Sequence, residues 1–397
     1  MFKKYQRIFS VLIVIGAIIV VLARCMNASS QIPPDIRGPE FAGAATCVKC
    51  HAEVSKSFVH NAHGLSSKPA GRSNLESLLT GDSTVFDFNA HMKVKVEKRD
   101  SSIYQVAFTD GKETRAQRFD LIFGSGEKAF TYAYWKGNKL FQLPLSYYSV
   151  LGKWANSPGF PMDVMYFDRP VASRCLECHS TFVKTKTTQS GALQMDEEME
   201  KGSLLYGIDC ERCHGPARQH VVFHLENPEE KKAKFITNYQ TLSRKQKMDA
   251  CGSCHSGNKV LPQRSIFGYQ PGDDLDAYYV RDFISFGEAE TDVHGNQSGR
   301  LSSSNCYRKS KDMTCQSCHN SHESIKGNMA IYSQRCMSCH QQTKHSKETL
   351  AKGILKDNCI DCHMPKEPSK VISFQSAGKG QLSPYMLRSH HIGIYPK

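Results

Sequence analysis

Seven copies of C-x-x-C-H, a period-two hydropathy pattern between residues 92 and 143, and long polar connections elsewhere together predict the fold class. They point to a chain of mostly short helices and loops around seven covalent haems, with a small antiparallel β-sheet inserted.

The repeated motif carries most of the inference. It occurs as "CVKCH" (Cys47, Cys50, His51), "CLECH" (Cys175, Cys178, His179), "CERCH" (Cys210, Cys213, His214), "CGSCH" (Cys251, Cys254, His255), "CQSCH" (Cys315, Cys318, His319), "CMSCH" (Cys336, Cys339, His340) and "CIDCH" (Cys359, Cys362, His363). Fourteen of the sixteen cysteines are consumed, leaving Cys25 and Cys306. At this cysteine and histidine content, chance gives on the order of 0.03 such motifs. The spacing has a chemical reason. Two thiols reach the two vinyl groups of one haem as thioethers, and the adjacent histidine lies under the iron. Zinc held by paired C-x-x-C units needs an even number of pairs and no compulsory histidine after each. Here the number is seven and every copy has the histidine.

Haem iron has a second axial position. Seventeen histidines leave ten beyond the motifs: His60, His63, His91, His220, His224, His294, His322, His345, His390 and His391. His63, His220, His294 and His322 lead this pool as distal ligands. His91, His345 and one of His390 and His391 complete the set, with His391 taken for the last place. His322 follows His319 by three residues and is expected on the same helical turn. From there it cannot reach the far face of its own iron, so as a ligand it binds a different haem. Met364 in "CHMPK" is expected to pack on a macrocycle. Bis-histidine iron lacks the potential-raising methionine of His/Met centres, which implies low potentials.

The period-two runs are "MKVKVEK", "IYQVAF", "RFDLIF" and "AFTYAYW", separated by the turns "TDGKE" and "GSGEK". They predict an antiparallel sheet of about five strands within a β-rich insert at residues 81–150. The remaining organisation follows in order. Residues 1–24 read as an N-terminal signal anchor, 25–45 as a linker and 46–80 as the first haem segment. Residues 151–300 hold haems two to four, and 301–397 hold haems five to seven.

At the start, Lys3, Lys4 and Arg7 precede an almost wholly apolar run at residues 8–23. At ~1.5 Å per residue it reaches roughly 24 Å, the scale of a signal anchor or a long signal-peptide core. Arg24 disfavours cleavage, and an uncleaved anchor is favoured over lipidation at Cys25. Each version exports the rest of the chain, which agrees with haem attachment outside the cytoplasm. The net charge of +13 comes from lysines scattered among acids, with no aromatic-interleaved basic stripe, so nucleic acid is not an expected partner. Haem propionates would offset much of it, by roughly −7 in the oxidised protein.

Size makes the haems neighbours. A compact chain of this length has a radius of gyration of about 21 Å, which places seven evenly spread irons on the order of 20 Å apart. Edge-to-edge electron hopping follows.

The chain also resembles the multihaem cytochromes c with a cytochrome c554-like haem unit, often fused to tetratricopeptide repeats. The resemblance spans residues 43–391. It rests on "AATCVKCHAEV…HNAHG", "KLFQLPLSYY", "CLECHST", "GIDCERCHGPARQHV", "GYQPGDDL", "DVHGNQ", "MTCQSCHNSH" and "CIDCHMPK". It implies histidine ligands at the positions of His63, His220, His294 and His322, with a further one from "RSHHIGIYP" and a weaker match at His91. This sequence departs from the pattern at Cys306, where an apolar residue is expected, and in having no repeat array after residue 391. The implied activity is electron transfer.

The expected function is therefore that of an extracytoplasmic, membrane-tethered heptahaem carrier. Its donor would be a membrane quinol-oxidising enzyme or a periplasmic cytochrome, and its acceptor a terminal reductase or an outer-surface conduit. The alternative is a multihaem oxidoreductase acting on small nitrogen or sulfur oxyanions at one open haem. No catalytic residue is assigned.

Overall fold

The computed structural model describes residues 11–20 and 32–395, except 72–74, 80–83, 258–260, 281–294, 342–343, 352, 354–356 and 376–381. Two compact units cut across the linear segments expected from sequence. One comprises Met1–Ser55 with Cys210–Thr241, and the other Lys56–Asp209 with Leu242–Lys397.

Short helices sit at the motifs, as expected. They include α1 (Ala44–Val48), α2 (Ala52–Phe58), α3 (Ser173–His179), α4 (Cys210–His214), α5 (Arg218–Glu226), α6 (Arg244–His255), α7 (Met329–Met337) and α8 (Ile360–His363). The reason is local. A residue three or four further along a helix returns to the same side, so one turn presents both cysteines and the histidine together. The closing bonds are present: His51 N donates to Cys47 O at 2.9 Å, and His340 N to Cys336 O and His363 N to Cys359 O at 3.0 Å. Ser243 starts α6 with a capping box closed by Gln246, fixing the helix whose last turn carries Cys251, Cys254 and His255.

The smaller unit brings the first and third motifs together. Ile32, Ala42 and Ala217 form a small buried cluster, against which Val221, Val222 and Ile236 pack.

The larger unit contains more sheet than the alternating runs imply. Strands β1 (Ser67–Pro69), β2 (Val85–Asp87), β3 (Met92–Arg99), β4 (Ser102–Thr109), β5 (Lys112–Arg118), β6 (Leu121–Phe123), β7 (Ala129–Lys136), β8 (Lys139–Gln142), β9 (Leu145–Tyr148), β10 (Lys153–Asn156) and β11 (Arg169–Val171) form two sheets. The four-stranded one runs β2-β3-β4-β5. The seven-stranded one runs β1-β6-β7-β8-β11, with β9 pairing β7 and β10. All these pairings are antiparallel. The expected single sheet at 81–150 is thus two sheets reaching from residue 67 to 171. Most of the additional strands are three or four residues long, too short to show alternation, and the seven-residue β5, KETRAQR, has one apolar residue.

Both sheets feed one core, with Phe86, Val94, Val96 and Ile103 from the first and Ile122, Tyr132, Tyr134 and Leu145 from the second. Gln105 crosses that core. Its amide donates to Leu145 O at 2.8 Å and its carbonyl accepts from Leu145 N at 2.9 Å, so a fully buried polar side chain is satisfied. A second core joins Leu121, Phe123, Ala133 and Leu140 of the larger sheet to Leu176, Val183 and Met199. Leu176 lies between Cys175 and Cys178, so the sheet is the platform for the second motif. A two-stranded hairpin, Lys366–Gln375 with Leu382–Arg388, follows the last motif, where sequence gave only helix and loop.

At the N-terminus, residues 11–20 are helical and exposed. The flanks of the expected anchor lie outside the described residues, and among those described no helix is long and apolar enough to cross a membrane.

Candidate haem sites

Four motif histidines face an imidazole from outside the motifs. Ring centres lie 6.4 Å apart for His51 and His220, and 6.1 Å for His255 and His63. They lie 6.1 Å apart for His319 and His390, and 6.2 Å for His363 and His345. Two imidazoles on one metal, with bonds of about 2.0–2.1 Å and roughly 1.2 Å from nitrogen to ring centre, stand about 6.4 Å apart. Aromatic pairs in general span about 4.5–7 Å. These four cluster at the separation one iron requires, and each couples a motif ring to a non-motif ring. His220 and His224, neither of them in a motif, lie closer, at 4.6 Å.

Hydrogen bonds orient the rings. His220 Nδ1 lies 2.8 Å from Lys234 O, and His363 Nδ1 lies 2.8 Å from Gly393 O. A carbonyl only accepts, so Nδ1 carries the proton and Nε2 is the bare nitrogen, the tautomer that binds a metal. Burial favours the neutral form as well. Desolvation lowers the pKa of His63, and likewise of His220 and His319. His255 is lowered to about 4 by burial, then by the charges of His63, His319 and His179. His390 is lowered to about 4 by burial, then by His319 and His255. His255 nevertheless has a large accessible surface. Paired imidazoles and adjacent cysteine pairs fit covalent haem.

Tertiary bonds hold the motifs together. Arg174 of the second motif's helix donates to Glu177 Oε2 at 2.9 Å and to Tyr279 Oη at 2.8 Å, while Tyr279 Oη donates to Ser253 O at 2.6 Å in the fourth motif. Cys178 and Cys254 are within hydrogen-bond reach of each other, as are Cys251 and Cys315. The Cys336 thiol is pushed up to about 11 by burial, with the neighbouring charges of Cys359 and Cys318 adding to it. These sulfurs are the atoms thioethers would use, so attachment points two, four, five, six and seven are successive neighbours in the larger unit.

The C-terminal tail serves two motifs. Ser304 Oγ donates to His390 O at 3.3 Å, while Gly393 N donates to His363 O at 3.1 Å. Of the two adjacent tail histidines, it is His390 that faces a motif ring, in place of the expected His391. The Nδ1 of His391 lies 3.1 Å from Tyr395 Oη. The sequence could not separate them, because both follow the hairpin whose end sets their direction.

Other expected ligands stand differently. His91 is three-quarters exposed at the β2–β3 turn with Nδ1 2.6 Å from Asp110 Oδ1, so nothing there brings it to a motif histidine. His294 lies outside the described residues. His322 is not on a shared helical turn with His319. The 3₁₀ helix covers Cys315–Ser317 only, and His322 lies on a separate turn. Ser57 Oγ donates to His322 O at 3.0 Å, and Asn61 Nδ2 donates to Ser321 O and Glu323 O at 3.0 and 3.1 Å. His179 meets the edge of Phe123 at 5.9 Å, and His214 meets Tyr239 at 5.8 Å.

Comparison with known proteins agrees with this geometry. The family model described as cytochrome c554 and c-prime matches residues 163–215. The multiheme cytochrome MtrA of Shewanella baltica is 26% identical over 194 residues, which is 44% of this chain and 54% of that protein. The chain thus spans about half the length of that curated relative. The crystal structure of the outer cell wall cytochrome OcwA shares the fold, with a TM-score of 0.50 and 16% identity, covering 89% of this chain and 79% of that one. Motif, family match, relative and fold converge in supporting a multihaem cytochrome c, which implies covalently bound haem c.

Proposed function

We propose that the protein is an extracytoplasmic heptahaem electron carrier, tethered to the membrane by its N-terminal segment. It would pass electrons from a membrane quinol-oxidising enzyme or periplasmic cytochrome to a terminal reductase or outer-surface conduit. Haem c, when bound, supplies a one-electron iron couple. The fourteen motif cysteines hold the macrocycles, and the seven motif histidines take the proximal positions. His220, His63, His390 and His345 would help hold the irons together with His51, His255, His319 and His363 respectively. His322 and His294 remain proposed ligands on the family pattern.

One observation carries the reading: four motif histidines each face a second imidazole at 6.1–6.4 Å. With a protein imidazole on each side, these sites would leave no open position for a substrate, which suits electron relay, and the adjoining attachment points in the larger unit would supply a path. Low-spin iron held by two neutral imidazoles favours low potentials.

The test combines intact-mass measurement with low-temperature EPR of the oxidised protein. A mass increase of seven haems with low-spin ferric signals is the expected result. Fewer attached haems would overturn the count, and a high-spin signal moved by nitrite would replace the carrier with an oxidoreductase.

A further inference from the structure

The smaller unit holds a carboxylate that haem attachment does not use. Glu211 lies between Cys210 and Cys213, and its side chain is wholly buried. Four donors converge on it. Arg37 Nη2 is 2.5 Å from Oε2, and Gly43 N donates to the same oxygen at 3.0 Å. Ala42 N and Ala217 N each donate to Oε1 at 2.9 Å. The two carboxylate oxygens are thus saturated with donors, as a buried carboxylate requires.

The donors come from informative places. Ala42 and Gly43 lead into α1, which carries Cys47, and Ala217 follows the third motif. Gly43 has φ +78°, a left-handed conformation that glycine adopts freely, and a Cβ there would stand 3.2 Å from Asp35 Oδ2. Arg37 also donates to Asp35, from Nε at 2.9 Å and Nη2 at 2.9 Å. Burial alone would raise the Asp35 carboxyl, but the Arg37 hydrogen bonds and charge hold it below the usual range. Asp35, Arg37 and Glu211 therefore sum to one negative charge, enclosed where salt screens little.

We propose that Glu211 is a shared positioning residue for the first and third haems. It fixes their two attachment segments to each other, and its negative charge lowers both reduction potentials. Reduction adds an electron to the iron, and a nearby buried anion opposes that addition. The proposal rests on the reading that these two motifs carry haem.

The sign of two variants separates charge from mere structure. Glu211→Gln removes the net negative charge, whereas Arg37→Gln leaves two anions without their cation. EPR-monitored redox titration of the full-length holoprotein reads the effect, with the first haem's signal assigned as the one lost in His220→Ala. Its midpoint is expected to move positive in Glu211→Gln and negative in Arg37→Gln. Shifts of the same sign in both, or no shift in either, would overturn the proposal. If Glu211→Gln does not accumulate, Arg37→Gln decides alone: a negative shift supports the proposal, and a positive shift or none refutes it. Failure of the underlying reading looks different, because the unaltered protein would then lack a low-spin signal dependent on His220.

Discussion

The rings of His51 and His220 lie within 19° of parallel across the 6.4 Å gap that separates them. The planes of His319 and His390 differ by 28°, whereas those of His63 and His255 differ by 79° and those of His345 and His363 by 73°. Parallel imidazoles split the iron d-orbitals rhombically, and perpendicular ones leave them nearly degenerate. The oxidised protein is expected to show two families of low-spin EPR signal, one rhombic and one with a single very large g-value. His390→Ala should deplete the first family and His63→Ala the second, each adding high-spin iron. A single rhombic family throughout would contradict the ring geometry while leaving bis-histidine ligation intact.

Tyr279 joins two haem segments through one hydroxyl. It donates to Ser253 O at 2.6 Å and accepts from Arg174 at 2.8 Å. Tyr279→Phe takes the donor from the Ser253 carbonyl and leaves Arg174 with Glu177 alone, at a cost of about 1–3 kcal/mol. Denaturant titration followed in the far ultraviolet is expected to show that loss with an unchanged slope. An unaltered midpoint would mean that the two helices are held by packing alone.

Much of this arrangement was legible beforehand, for physical reasons that also explain the misses. The motifs were readable because thioether chemistry fixes spacing within a single helical turn. His63, His220 and His345, candidate ligands by sequence, lie opposite motif rings. The choice of His390 over His391 depended on a hairpin whose strands, at Lys366–Gln375 and Leu382–Arg388, carry Pro368 and Pro384 and little alternation. His91 was drawn into the ligand pool by residue type, yet its neighbour Asp110 and its exposure come from a β-turn. Strands such as Leu121–Phe123, buried on both faces, have no polar side to reveal their period. Glu211 looked like an ordinary variable position inside C-x-x-C. Only the return of Arg37 and Gly43 in space gives it a role.

The tail offers a test of ring orientation. Gly393 O accepts from His363 Nδ1 at 2.8 Å, a bond that raises the basicity of the ligating nitrogen. A chain ending at Ile392 retains His390 but loses this carbonyl. Redox titration is expected to show the haem of the last motif shifted positive, with the signal dependent on His390 preserved. Loss of that signal instead would show that residues beyond Ile392 are needed to seat His390.

Arg115 links the four-stranded sheet to the segment entering β11, its two guanidinium nitrogens meeting the Asp168 carboxylate at 2.9 and 3.0 Å. These hydrogen bonds lower the Asp168 pKa from 3.8, against a smaller opposing effect of burial. A carboxyl depressed in the folded state contributes stability above its unfolded pKa, and that contribution disappears as pH falls through the lower folded value. The pair is largely exposed, so its worth at neutral pH is under about 1 kcal/mol. Asp168→Asn is therefore expected to destabilise slightly at pH 7 and to converge with the parent protein once pH drops below that folded value. Thermal melts across that acid range, at constant ionic strength, check both parts. A gap that persists undiminished through the acid range would assign the effect to the hydrogen bond from Tyr134 or to packing, rather than to the carboxylate charge.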